Sequence, residues 1–122
     1  MNIIIVDDAQ FIRTLLKDIF SSLGHQVVAE FSSARDLIDN IDQYNVDLIT
    51  IDITMPDIDG ISAAKILKKL VPNVDIFVIT ALSNKFIENE AVNCGACQII
   101  YKPFSYDSIK NALDKLKKRV ST

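Results

Sequence analysis

The chain has little of what several common functions require. Its single histidine, His25 in a turn after Gly24, has no second histidine with which to share a metal. Its two cysteines, Cys94 and Cys97, take a C-x-x-C spacing in "CGAC". Cys94, however, falls near the C-terminal end of a helical segment, where the helix dipole disfavours a thiolate, so buried thiols are expected rather than redox chemistry. No apolar run approaches the roughly 18 residues of a membrane span. Met1 runs straight into "NIIIVDD" without a basic n-region or a small-residue cleavage site. These absences predict a soluble, cytoplasmic protein with no membrane insertion. The 13 basic residues are outnumbered by 16 acidic ones. They form no stripe beyond Lys115, Lys117, Lys118 and Arg119, so direct nucleic-acid binding is not expected. No repeat, low-complexity segment or linker interrupts the 122 residues. One domain spanning residues 1–122 is predicted, long enough to bury about two thirds of its unfolded surface.

What the chain does have is an alternation of strand-length apolar runs with segments of helical period. The runs are "IIIV" (3–6), "VVAEF" (27–31), "VDLITI" (46–51), "VDIFVIT" (74–80) and "QIIY" (98–101). Between residues 9 and 23, Ile12, Leu15, Leu16, Ile19, Phe20 and Leu23 keep one helical face, and Gly24 supplies the stop. Ser33 followed by Asp36 resembles a capping box opening a second helix through about Tyr44. Gly60 precedes a third, with Ile61, Ala64, Leu67 and Leu70 on one face before Pro72. A fourth runs from about Asn84 to Cys94 and stops at Gly95. The fifth opens near Ser105 and aligns Ile109, Ala112, Leu113, Leu116 and Val120. Strands alternating with helices predict an α/β fold, a doubly wound parallel sheet of five strands flanked by five helices. Right-handed crossovers pack each helix back on its sheet, and nearly unbroken apolar strands suit burial on both faces.

In such sheets ligands bind outside the carboxyl ends of the strands. Strand 1 ends in Asp7 and Asp8, strand 3 in Asp52, strand 4 in Thr80, and strand 5 in Tyr101 followed by Lys102 and Pro103. Gathered carboxylates repel one another, by on the order of 4 kcal/mol per pair about 4 Å apart at an effective dielectric near 20. A hard divalent cation relieves that repulsion through oxygen ligands. Mg²⁺ in particular takes one or two carboxylates, keeps waters and accepts phosphate oxygens, while Lys102 adds a second positive charge. A carboxylate beside Mg²⁺, an ammonium and a hydroxyl is a suitable nucleophile for a phosphoryl group, giving an acyl phosphate. Asp52 is the expected acceptor, because it stands alone at its strand end and leaves Asp7 and Asp8 to hold the metal.

The motifs "IIIVDDAQFIR", "LITIDITMPDIDG", "FVITA" and "YKPF", in this order and spacing across essentially the whole chain, resemble the receiver domain of two-component response regulators, most closely the stand-alone chemotaxis type. The resemblance implies strand order 2-1-3-4-5 (flavodoxin-like). It implies that Asp52 takes its phosphoryl group from a sensor histidine kinase or a histidine phosphotransfer domain. Asp8 would bind Mg²⁺ directly with Asp52 and the backbone carbonyl of Thr54, with Asp7 acting mainly through water. Lys102 would contact the phosphoryl oxygens and the Thr80 hydroxyl would move to meet them, biasing a surface of helix 4, strand 5 and helix 5 that a downstream protein target reads. A cis Lys102–Pro103 peptide is also implied. The chain is thus expected to be a monomeric signalling switch rather than an enzyme, autophosphorylating intrinsically, with no effector domain after residue 122. Phe86, Phe104 and Tyr106 are candidates for exposure near the output surface. One departure stands out: three residues before the lysine the family usually has an aromatic, and this chain has Ile99, so Tyr101 or Phe104 would have to substitute. A phosphorelay intermediate, which hands the group on to a histidine phosphotransfer protein, is the alternative that Ile99 leaves open.

Blander readings compete at each position. Asp7 and Asp8 would also suit a helix opening. Asp57 and Asp59 read as turn residues beside Pro56 and Gly60. Thr80 would pass for an ordinary strand threonine, were it not beside the small Ala81, which leaves room for a phosphoryl group. A phosphatase of the haloacid-dehalogenase type also uses a strand-end aspartate, a hydroxyl and a lysine. There, however, the nucleophile precedes the paired acids and another acid follows it by two residues, where this chain has Thr54. A pure interaction module is disfavoured because no site residue is missing.

The positions that tune hydrolysis in the family, two after the acceptor and two after the threonine, hold Thr54 and Leu82. Neither carries a carboxylate or amide to orient an attacking water. Slow autodephosphorylation is therefore predicted; a phosphoryl half-life of seconds, followed by loss of label from the isolated protein, would contradict it.

Overall fold

A computed structural model describes residues 1–96 and 98–121, the last five by their helical backbone. Cys97 and the side chains of Lys117, Lys118, Arg119 and Val120 lie outside the described residues. The elements alternate as β1 (Asn2–Val6), α1 (Gln10–Ser22), β2 (Gln26–Phe31), α2 (Ala34–Asn40), β3 (Leu48–Asp52), α3 (Gly60–Leu70), β4 (Asp75–Thr80), α4 (Lys85–Asn93), β5 (Gln98–Tyr101) and α5 (Tyr106–Ser121). All strand pairings are parallel, in the order β2-β1-β3-β4-β5. Each expected strand is present within two residues of its predicted ends.

The two faces of the sheet bury separate apolar layers. Ile3, Ile5, Leu48, Phe77, Ile79 and Ile100 meet Leu16, Ile19 and Phe20 of α1 and Ile109, Ala112, Leu113 and Leu116 of α5. The alternate strand positions, among them Ile4, Val6, Ile49, Ile51, Ile76 and Val78, meet α2, α3 and Ala91 of α4. This two-sided burial is why the strands read as continuous apolar runs rather than alternating ones. α1 and α4 run into glycines of left-handed backbone, Gly24 at φ +86° and Gly95 at φ +93°, the conformation in which glycine alone is unstrained.

Two expectations are corrected. The second helix ends at Asn40 rather than near Tyr44, and a short 3-10 turn, Ile41–Gln43, follows. The Asn40 side-chain amide donates to the Asp36 carbonyl at 2.7 Å in the last turn of α2, directly before the chain tightens. Leu70 is 53% exposed at the final turn of α3 instead of completing its buried face. It lines an open surface cavity with Tyr44 and Pro72, at the end of the sheet where the strands begin.

Thr50 is a polar residue at the centre of the sheet. It pairs with Ile5 on one side and Phe77 on the other, is wholly buried, and its hydroxyl has no hydrogen-bond partner among the described residues. A buried hydroxyl without a partner costs free energy that an isosteric methyl does not. Thr50→Val is expected to raise unfolding stability by about 1 kcal/mol, read as a higher urea midpoint at unchanged slope.

Candidate functional site

Because every strand is parallel, every strand C-terminus lies at one edge, and the reversal of strand order between β1 and β3 opens a crevice there. The register Val6↔Ile51 sets Asp7 beside Asp52, and Asp52 is itself paired with Ile79, next to Thr80. Asp7, Asp8 and Asp52 each bring one carboxylate oxygen to within 4.8 Å of the others. Asp7 and Asp52 are 1% and 6% exposed, whereas Asp8 is open to solvent.

Lys102, the residue after β5, reaches across this edge. Its ammonium donates to Asp7 Oδ2 at 3.3 Å and to Asp52 Oδ2 at 3.2 Å. The remaining Asp7 oxygen accepts from the Ala9 amide at 2.9 Å, and that of Asp52 from the Thr54 amide at 3.2 Å. Burial and the neighbouring Asp7 charge together push the Asp52 carboxyl above its ordinary value, outweighing Lys102 and the Thr54 amide, which pull it down. Burial also works against the Lys102 charge, but the two carboxylates outweigh it and hold that ammonium above its ordinary value. The site is thus short of positive charge, and its donors are hard oxygens. The cluster of Asp7, Asp8 and Asp52 suits a cation such as Mg²⁺ on donor chemistry alone.

The other expected residues fall into place around this cluster. Thr80 is fully buried, and its hydroxyl accepts the Leu82 amide at 2.9 Å. Thr54 is exposed just beyond β3. The Lys102–Pro103 peptide is cis, as the resemblance implied. Neither Asp7 nor Asp8 caps α1, whose N-cap is Ala9 with no side-chain hydrogen bond, so the helix-opening reading fails. Asp57 and Asp59 are structural and more specific than turn residues. Asp59 caps α3 through the Ser62 amide at 2.9 Å. Asp57 accepts the Arg35 amide of α2 at 2.9 Å, and that bond holds its carboxyl below the ordinary value. Cys94 is buried, donates to the Ala91 carbonyl, and has its thiol pushed up chiefly by burial, the state of an inert cysteine.

Two residues that the sequence reading gave no role at the site support it. Arg13 on α1 donates to the Asp7 carbonyl at 2.7 Å and pairs with Glu30 at 3.4 Å, fixing the turn that presents Asp7 and Asp8. Gly60 begins α3 so close to the end of β3 that any Cβ would overlap the Asp52 carbonyl oxygen and lie 2.8 Å from the Ile53 Cα. Its amide donates to the Ile53 carbonyl at 2.9 Å. A glycine after "DID" signals a turn in sequence; nothing there signals a close approach.

The profile of the response regulator receiver domain matches residues 3–114, nearly the whole chain. The chain belongs to the response regulator receiver family. Among curated relatives it is 38% identical to the chemotaxis protein CheY of Thermotoga maritima, over 95% of this chain and 97% of that protein. It is 33% identical to the sporulation initiation phosphotransferase F of Bacillus subtilis, over 93% of this chain and 90% of that protein. Among solved structures it resembles a chain of the CheX–CheY–BeF₃–Mg complex of Borrelia burgdorferi, with a TM-score of 0.89 and 27% identity, over 95% of this chain and 88% of that one. The receiver is therefore a two-component signalling domain of the CheY-like kind. No helix among its described residues is long and apolar enough to cross a membrane.

The raised Asp52 carboxyl has a signed consequence for stability. A carboxyl whose folded value lies above its unfolded value costs stability when ionised. That cost is absent below the ordinary value of 3.8 and grows as pH rises through the folded value. In Mg²⁺-free buffer, Asp52→Asn is expected to be more stable than wild type at pH 7, with the advantage shrinking toward pH 4. Urea titrations across that range measure it, and an advantage that grows on acidification would contradict the assignment.

Proposed function

We propose that this receiver is a phospho-accepting switch in which Asp52 takes a phosphoryl group from a phosphohistidine and thereby changes the affinity of the domain for a protein partner. The observation that carries the reading is the Lys102 ammonium held between Asp7 and Asp52 with Asp8 alongside. In the transfer, an Asp52 oxygen forms a bond to phosphorus as the bond from phosphorus to the donor's imidazole nitrogen breaks, and the imidazole leaves with the electron pair. Asp8, Asp52 and the Thr54 backbone carbonyl would hold Mg²⁺, which when bound supplies charge neutralisation for the phosphoryl oxygens.

The chain's own groups divide the remaining work. Asp7 already has one oxygen on the Ala9 amide and the other on Lys102, which suits it to orienting Lys102 and metal-bound water rather than to direct ligation. Lys102 needs only to turn from Asp52 Oδ2 toward the incoming oxygens, because its stem already spans the site. Thr80 holds a hydroxyl one strand away that accepts from the Leu82 amide and keeps its own proton to donate to a phosphoryl oxygen. The donor protein, a sensor histidine kinase or histidine phosphotransfer domain, approaches over the apolar groove of Phe11, Ile12, Leu15, Ala81, Pro103 and Phe104, which Lys102 also lines. The receiver acts as a single cytoplasmic domain over residues 1–122, a monomer whose output face comprises α4, β5 and α5, where Phe86 and Tyr106 are exposed. Phe104 is half-buried against the α1/α5 layer and contributes to the groove instead.

Incubation with Mg²⁺ and acetyl phosphate tests the reading. Wild type is expected to gain the mass of one phosphoryl group, mapped to Asp52, and Asp52→Asn to gain none. Lys102→Ala should bind Mg²⁺ yet accept the group at least tenfold more slowly, since one fixed charge at the transferring oxygens is worth a few kcal/mol. An unmodified wild-type protein would refute the proposal.

A further inference from the structure

Tyr101 stands between the acidic site and α4. It is in register with Thr80, and the following amide, that of Lys102, donates to the Thr80 carbonyl at 2.8 Å, so a displacement of Thr80 is transmitted to it through backbone. Its phenol donates to Glu88 Oε1 at 2.7 Å, in the first turn of α4. Burial of its neighbours does little to hold that helix. Ala91 is its one buried residue, while Phe86 and Val92 are 70% and 67% exposed. Among the described residues, the bond from Tyr101 to Glu88 is the only side-chain hydrogen bond that joins α4 to the sheet. The segment that leads into α4, residues 81–84, is tied back by the Leu82 amide on the Thr80 hydroxyl. Ile99, two residues before Tyr101 on the same face, packs with Ile87 against the core and has no polar atom to offer.

We propose that the Tyr101–Glu88 hydrogen bond is a latch that holds α4 in the seat seen here and opposes its release by the site. The inference rests on the phosphoacceptor reading above. A Thr80 hydroxyl drawn to a phosphoryl group on Asp52 relinquishes the Leu82 amide, and residues 81–84 lose their tie. Among the described residues, Tyr101 is then the remaining polar side-chain tie on α4, beside the packing of Ile87 and Ala91. A contact made in the seated arrangement and lost in the displaced one weights the equilibrium toward the seated arrangement. By linkage, weakening it must tighten whatever binds the displaced arrangement, including a phosphoryl mimic at Asp52. The Glu88 carboxylate also pushes the Tyr101 phenol up, which keeps the donating proton in place.

The affinity for beryllofluoride in saturating Mg²⁺, measured by calorimetry, tests the latch. Tyr101→Phe and Glu88→Ala are each expected to bind roughly threefold to tenfold tighter than wild type, the range of one part-exposed hydrogen bond. Glu88→Gln retains an acceptor oxygen and should stay near wild type. The double variant Tyr101→Phe with Glu88→Ala should match either single variant, because both remove the same contact. Both positions reach solvent, so these changes leave the core intact. Unchanged or weaker binding in the two single variants, with wild type still binding, overturns the latch alone. Failure of wild type to bind beryllofluoride overturns the phosphoacceptor reading and the latch with it.

Discussion

One ammonium shared by two buried carboxylates is what allows this sheet to end in negative charge. Lys102 lies 95 residues from Asp7 and 50 from Asp52 in sequence, and it reaches both from a strand that borders neither of theirs. Leaving a buried carboxylate without its counter-charge costs on the order of 3 to 5 kcal/mol, a large share of the stability of a domain this size. The arrangement of β1, β3 and β5 therefore depends on a contact that one ammonium cannot fully neutralise. Asp52 remains uncomfortable as an anion, and any further positive charge brought to that carboxylate changes the balance across three strands at once.

Much of this was legible in the sequence, for a reason specific to parallel sheets. When both faces are buried, the apolar run itself marks the strand, and the first polar residue after it marks the functional edge. Asp7, Asp52 and Thr80 could be placed at one edge without knowing any distance. The register, the separation of the carboxylates and the reach of Lys102 then follow from a topology with few alternatives. The motifs "VDD", "IDITMPDIDG" and "YKPF" narrowed those alternatives to one.

What escaped was contact between side chains or backbone on elements with no shared period. The stop of α2 at Asn40 and the 3-10 turn after it are concealed by an intact apolar pattern through Ile41. Arg13 reads as one more polar residue on α1, and only the fold brings a strand-end carbonyl within its reach. Asp57 and Asp59 were legible as turn formers, but not as the groups that serve two different helices. Tyr101 and Glu88 meet because β5 lies under α4, a neighbour relation set by chain order in the sheet and invisible in either segment alone.

The close approach at Gly60 also divides the molecule mechanically. With no side chain between them, the backbone of Asp52 bears directly on the start of α3, and α3 is anchored by Ile61, Ala63, Ala64 and Leu67 in the core. Asp52 cannot recoil without dragging that helix through close-packed surroundings. It behaves as an anvil. The packing around the site is thus uneven, stiff on the α3 side of Asp52 and light at α4, where Ala91 is the one buried residue.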